Sequence, residues 1–267
     1  MKPLPLAIVI TALFAASALF AETKPAAAAP TAPAAPAPAK PAAPVVKLPP
    51  QPPDVAAPKL GPDGQPNEKF IAMHESFVAT AKEGKARLLF LGDSITAGWG
   101  GKKDIWEKEF GKYDPANFGI GGDRTQHVLW RIQNGELDGI KPVVAVVMIG
   151  TNNSASDPAD GIAKGVTKIV GTIREKSPAT KVLLLAVFPR GEKAEPNPQR
   201  AKLKQVNEII AKLDDGQHVF FLDIGDKFLE PDGSLTKEIM PDFLHLTPKG
   251  YQIWADAIGP KLAELMK

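Results

Sequence analysis

Leu88-Leu89-Phe90-Leu91-Gly92-Asp93-Ser94-Ile95-Thr96 joins two chemistries in one short stretch. Its first four residues are apolar, a run that suits a strand buried on both faces. Glycine, an acid and a serine follow at once. Those residues suit a sharp turn that lifts a hydroxyl clear of a sheet. Alone, such a triplet is an ordinary turn. The fold depends on whether the rest of the chain repeats the arrangement.

The arrangement recurs. Ala116–Ile120 reads as a short strand running into Gly121-Gly122-Asp123. Val143–Ile149 is almost wholly apolar and runs into Gly150-Thr151-Asn152-Asn153. Lys181–Phe188 and Val219–Leu222 are predicted strands as well. Helical spacing of apolar residues marks Asn67–Lys82, Lys103–Phe110, Arg124–Asn134, Ile162–Glu175, Gln199–Leu213 and Pro248–Met266. Strands alternating with helices argue for a mainly parallel sheet between two helical layers, a three-layer α/β/α sandwich. Sites in such sheets lie at the carboxyl ends of strands. The turns at Ser94, Gly122 and Asn152 are therefore expected on one edge.

Outside this region the composition changes. Residues 1–20 are almost entirely apolar, with Lys2 the only charge, and small residues follow. Residues 1–21 read as a secretory signal peptide, with an uncleaved anchor as the alternative. Residues 21–60 contain 14 Ala and 12 Pro. Prolines at this density block helix, so residues 22–66 are expected to form a disordered or extended spacer. A folded domain is expected over 67–267, long enough to bury a sizeable core. The chain has no cysteine, which excludes disulfides, thiolate metal sites and a lipid-modified cysteine. The formal charge is +2; Lys2 contributes +1 and residues 21–60 contribute +2, so residues 61–267 sum to −1. The domain is thus slightly acidic, and nothing points to nucleic acid.

A serine hydroxyl attacks only when a base takes its proton. The histidines are His74, His127, His218 and His245. The first three are read as surface or packing residues without a carboxylate partner in a turn. His245 follows Asp242 by three residues, just before the last helix. That spacing can put both side chains on one face of a turn, where the carboxylate would fix the imidazole tautomer. A loop capping the helix is the competing reading. For the developing oxyanion, candidate donors are a backbone amide at the serine turn, the Gly122 N–H and the Asn152 side chain. A tight turn at Gly121-Gly122 and a helix cap at Asn152-Asn153 are the alternatives.

Taken together, Gly92-Asp93-Ser94, Asn117-Phe118-Gly119-Ile120-Gly121-Gly122-Asp123, Gly150-Thr151-Asn152-Asn153 and Asp242-x-x-His245 resemble the SGNH, or GDSL-type, hydrolases. The resemblance covers roughly 85–266. His127-Val128-Leu129-Trp130-Arg131, Asn134-Gly135-Glu136-Leu137 and Pro189-Arg190-Gly191-Glu192-Lys193 look like the branch of platelet-activating factor acetylhydrolase catalytic subunits. The resemblance implies a flavodoxin-like sheet and ester hydrolysis through an acyl-enzyme. It implies Ser94 as nucleophile, His245 as base then acid, and Asp242 as its orienting carboxylate. The Ser94 amide, Gly122 and Asn152 would form the oxyanion hole, and no metal or organic cofactor is implied. The Gly-x-Ser-x-Gly elbow of other hydrolases is absent, since Thr96 stands at its last position.

The expectation is an exported esterase, periplasmic or extracellular, acting on a short-acyl ester of a small molecule, lipid or acetylated glycan. Through its spacer it would associate with the cell envelope. An acyltransferase would use the same residues. A non-catalytic carbohydrate- or envelope-binding module is a further alternative, as is a metal phosphoesterase using Asp93, Asp123, Asp242 and His245.

Overall fold

A computed structural model describes residues 50–267. The expected signal peptide and most of the expected spacer lie outside the described residues. The strands are β1 (Leu88–Gly92), β2 (Pro115–Gly119), β3 (Val144–Met148), β4 (Lys181–Leu185) and β5 (Val219–Leu222). They pair in parallel throughout, in the order β2-β1-β3-β4-β5. The helices are α1 (Glu68–Glu83), α2 (Ser94–Ala97), α3 (Lys103–Phe110), α4 (Thr125–Arg131), α5 (Ala159–Lys176), α6 (Pro198–Ile210) and α7 (Pro248–Leu265). α3 packs on α7, while α4, α5 and α6 lie side by side. The result is the α/β/α sandwich that the alternation of elements indicates.

β1 and β3 are buried at every position, which is why their sequences show no polar alternation. Helix faces complete the core. In α5, Ile162, Val166, Ile169, Val170 and Ile173 are buried at helical spacing. Each such side chain contributes roughly 1.5–3 kcal/mol of burial. On the α3/α7 side Phe90 meets Trp106 and Phe110 at ring distances of 4.9 and 5.1 Å, and Trp99 meets Trp254 at 5.3 Å. α1 starts at Asn67, whose side chain accepts the Phe70 N–H, and stops at Gly84 with φ 68°.

Two features depart from the sequence reading. The helix expected to run to Asn134 leaves α-geometry after Arg131 and widens into a π turn over Ile132–Glu136. Gly135 has φ 116° there, and a Cβ on it would stand 3.2 Å from Val78 Cγ2 of α1. The widened turn brings Glu136 back to Arg131. The second departure is the domain boundary, which the sequence places at Asn67. Residues 50–66 instead lie against the domain. Pro53 is buried, its carbonyl accepts from Thr125 Oγ1 at 2.8 Å, and the Gln51 carbonyl accepts from Gln126 Nε2 at 3.1 Å. Backbone carbonyls make these contacts, so a proline-rich composition carries no sign of them.

Register sets the site. Gly92 of β1 pairs with Gly119 of β2 and Met148 of β3, so these strands end level. The chain order reverses between β1 and β3, the place where doubly wound sheets form their clefts.

Candidate active site

Glycine lets the serine turn close over the strand ends. A Cβ on Gly92 would stand 2.1 Å from Thr96 Oγ1 and 2.5 Å from Met148 O. A Cβ on Gly119 would stand 2.2 Å from Ala97 N. Asp93 caps α2, its Oδ1 accepting the Ile95 N–H at 2.9 Å. Ser94 opens that helix, so its own N–H has no intrahelical acceptor. From α7, Tyr251 donates its hydroxyl proton to Ile95 O at 2.6 Å and so fixes α2 from below.

Ser94 Oγ lies 2.9 Å from His245 Nε2, and His245 Nδ1 lies 2.6 Å from Asp242 Oδ2. The other oxygen of Asp242 accepts the backbone N–H groups of Leu244 and His245 at 3.1 and 2.7 Å. Phe243, between them, takes the left-handed φ of 57° that bends the loop onto itself. Burial pushes the Asp242 carboxyl up, but the hydrogen bonds from His245 outweigh it and hold the group below its usual range. The capping of α7 falls to Thr247, whose Oγ1 accepts the Gly250 N–H. Asp242 and His245 are therefore free of that task and turned toward Ser94.

Ile120-Gly121-Gly122-Asp123 forms a tight turn closed by Asp123 N–H to Ile120 O at 3.1 Å. Gly122 has φ 73°, and its missing Cβ would reach only Lys59 Nζ, at 3.7 Å. Glycine is required there by backbone conformation rather than by the close approach expected from the sequence. A Cβ on the preceding Gly121 would stand 4.0 Å from Ser94 Cβ, so this turn flanks the serine. Asn152 donates from Nδ2 to Asp123 O at 2.8 Å, leaving its second N–H for another acceptor. Asn153 instead serves structure, accepting from Thr125 N–H at 3.0 Å and donating to Gln126 and Asp157.

Other residues at this edge were named in the sequence without the roles that the structure gives them. Asp93 is fully buried, and its Oδ2 has no hydrogen-bond partner among the described residues. Burial, with the nearby Asp123 charge adding to it, pushes its carboxyl up to about 7. Arg190 donates to Thr151 O at 3.1 Å, and burial pulls its guanidinium down while the Asp93 and Asp242 charges oppose that. The adjacent Gly191 N–H donates to Phe243 O at 2.8 Å. The Pro189–Lys193 stretch, which follows β4 on the same edge, thus braces the His245 loop. Beneath the site Arg131 is buried among Asp123 Oδ2, at 2.9 Å, Glu136 and Phe118 O.

The remaining histidines are packing or surface residues, as expected, but His74 and His218 each have a carboxylate neighbour. His74 has a carboxylate partner after all: Nδ1 lies 3.0 Å from Glu136 Oε1, which is distant in sequence. His127 is buried, accepts the Arg124 N–H on Nδ1 and is pushed down to about 3 by burial and by nearby cations. His218 follows Asp215 by the same three residues that separate His245 from Asp242. Asp215 spends Oδ1 on three backbone N–H groups at the amino end of β5, the edge opposite Ser94. Among the described residues no group of three His, Asp or Glu is arranged to hold a metal ion. Asp123 is committed to Arg131 and Lys59, and Asp242 to His245. That leaves no donor set for the phosphoesterase alternative.

Comparison with known proteins bears on family and fold. The model of the GDSL-like lipase/acylhydrolase family matches residues 90–253. Platelet-activating factor acetylhydrolase IB subunit alpha2 of Homo sapiens is 41% identical over 197 residues, 73% of this chain and 84% of the relative. The human alpha1 subunit is 38% identical over 205 residues, 76% of this chain and 87% of the relative. A GDSL-like lipase from Bacteroides thetaiotaomicron superposes with a TM-score of 0.59 at 20% identity, covering 72% of this chain and 97% of its own, and so shares the fold. With the family model spanning most of the domain and relatives matched over most of their length, the chain belongs to the GDSL-like lipase/acylhydrolase family and is a carboxylic ester hydrolase.

Proposed function

We propose that this ester hydrolase is an exported serine esterase that removes a short acyl group, such as acetyl, through a covalent intermediate on Ser94. The observation that carries the reading is the unbroken chain Ser94 Oγ, His245 Nε2, His245 Nδ1, Asp242 Oδ2, at 2.9 and 2.6 Å. His245 takes the hydroxyl proton as Ser94 Oγ attacks the ester carbon, and Asp242 stabilises the imidazolium. The carbonyl oxygen, now an anion, is met by the N–H groups of Ser94 and Gly122 and by the free N–H of Asn152. His245 then returns the proton to the departing alcohol. Water, activated by the same histidine, releases the acid from the serine.

The short acyl group is supported by the relatives named acetylhydrolases and by the lack of an apolar lid insertion in the sequence. Export is supported by the apolar stretch within residues 1–20 and the small residues after it. The Pro/Ala-rich spacer would then hold the domain away from the envelope. Ser94→Ala is expected to abolish p-nitrophenyl acetate hydrolysis while thermal melting stays unchanged. Near-full activity in that variant would remove the assignment. A chain-length series of nitrophenyl esters, run beside acetylated xylan and lysophospholipid, tests the substrate: activity falling steeply beyond short acyl groups is expected.

A further inference from the structure

The Gly121–Gly122 peptide has two polar ends. Its N–H belongs to Gly122, the donor assigned above to the oxyanion. Its carbonyl oxygen belongs to Gly121, and in a trans peptide it points the opposite way. That oxygen accepts from Lys59 Nζ at 2.7 Å. The same ammonium sits 2.8 Å from Asp123 Oδ1, while Arg131 holds Asp123 Oδ2.

The turn type gives this contact its meaning. Ile120–Asp123 is closed by the 3.1 Å bond between its ends, with Gly122 at φ 73° in the third position. That is the geometry of a type II turn, whose third residue needs positive φ. Type I and type II turns differ mainly by a half rotation of the central peptide, here Gly121–Gly122. Most turns resist the rotation through a side chain at one centre. This one has glycine at both, so sterics leave it open. In the rotated form the Gly122 N–H would point away from the serine.

We propose that Lys59 is a positioning residue that latches this peptide in the donor orientation. This rests on the oxyanion role of Gly122 under the proposed function. The ammonium holds the oxygen end of the peptide, and the N–H at the other end is thereby aimed. Hydrogen bonding to a cation also polarises the amide, which makes its N–H a stronger donor. Asp123 joins the same device: its side chain sets Lys59, and its carbonyl receives Asn152 Nδ2 at 2.8 Å. Gly122 and Asn152 are thus coordinated from one residue.

Lys59 is placed for this by the segment before α1. The Asn67 N–H donates to Lys59 O at 2.8 Å, the Ala57 N–H donates to Gln126 O at 3.2 Å, and Pro53 is held by Thr125. Gly165 of α5 makes room, since a Cβ there would stand 2.5 Å from Pro53 O. Together this segment and the Gly122 turn line an open pocket of about 560 Å³, with Pro50, Gln51 and Lys59 on one side and Gly122, Arg124 and His127 on the other. The stretch assigned to a spacer from composition thus reaches the Gly122 turn through Lys59.

The test uses the full chain with Lys59→Met and Lys59→Arg, with Ser94→Ala alongside. Lys59→Met is expected to lower kcat for p-nitrophenyl acetate by about 10- to 100-fold, less than loss of a whole oxyanion donor, with KM within about threefold. Its inhibition constant for an aryl boronic acid, whose adduct fills the oxyanion hole, should rise in step. Lys59→Arg, which can still donate to both oxygens, is expected to recover most of kcat. A kcat unchanged in Lys59→Met overturns the latch while leaving the esterase reading intact. So does a loss in which kcat and boronate affinity do not move together. Full activity in Ser94→Ala instead removes the underlying reading. Should Lys59→Met fail to fold by thermal melting, kcat of Lys59→Gln decides: a shorter, neutral donor should lose kcat without losing KM, and wild-type turnover would overturn the proposal.

Discussion

Asp93 adjoins the nucleophile and takes no part in the proton path, yet it carries a cost. Its carboxyl rises from 3.8 to about 7 because burial disfavours its charge. A folded pKa above the unfolded one means that the folded state binds more protons between those values. Stability contributed by the neutral acid is therefore present at low pH and lost as pH rises toward about 7. Asp93→Asn keeps an oxygen for the Ile95 N–H and removes the titration. The melting temperature of the variant relative to wild type should increase between pH 4 and pH 8 by on the order of 5 °C. A difference that does not change with pH would contradict the assignment. Side chains such as Ser94, Asp242 and His245 were legible because their spacing and turn context name them. The roles of Asp93 and Arg190 were not, because burial and a neighbour from another strand give them their properties. Asp215 and His218 show the limit from the other side, since the same spacing at the wrong end of a strand has no serine to serve.

At the scale of elements, the site is held by two groups of helices, α3 with α7 and α1 with α4 to α6. α7 supplies Tyr251 to α2 and begins directly after the His245 loop, so one helix sets both the nucleophile and its base. On the other side α1 and α4 share the buried chain His74, Glu136, Arg131, Asp123. Arg131 also lies over the ring of Phe77, which stacks on Phe118 of β2 at 4.7 Å. Removing Arg131 would take away the cation that the buried Asp123 and Glu136 share, leaving Lys59 beside the first and His74 beside the second. Arg131→Met is therefore expected to lose about 3–5 kcal/mol of stability in urea denaturation at neutral pH. A loss below about 1 kcal/mol, as for an exposed pair, would show that the chain is not structural. The order and type of these elements could be read from apolar periodicity. The π turn at Ile132–Glu136 could not, because it answers to Val78 and to Arg131, contacts that periodicity does not record.

For the whole molecule, the parallel sheet places polar turns from β1, β2 and β3 on one edge, and the last loop brings histidine to meet them. That much followed from strands alternating with helices. The start of the domain did not. Its first contacts are made by proline-rich backbone, and composition describes side chains. Removing residues 1–49 is expected to leave melting temperature and turnover unchanged. Removing 1–66 should lower both, because Pro53, Gln51 and Lys59 leave with it. Equal behaviour of the two truncated forms would return residues 50–66 to the spacer.

The claim on which the account rests is that Ser94 carries the acyl group. Rapid acid quenching of the enzyme with p-nitrophenyl acetate, followed by peptide mass analysis, tests it most directly. The account predicts one acetyl group on the peptide containing Ser94, and none in Ser94→Ala or on any other peptide. Steady hydrolysis with no acetylated Ser94 peptide, or an adduct that survives in Ser94→Ala, would contradict it.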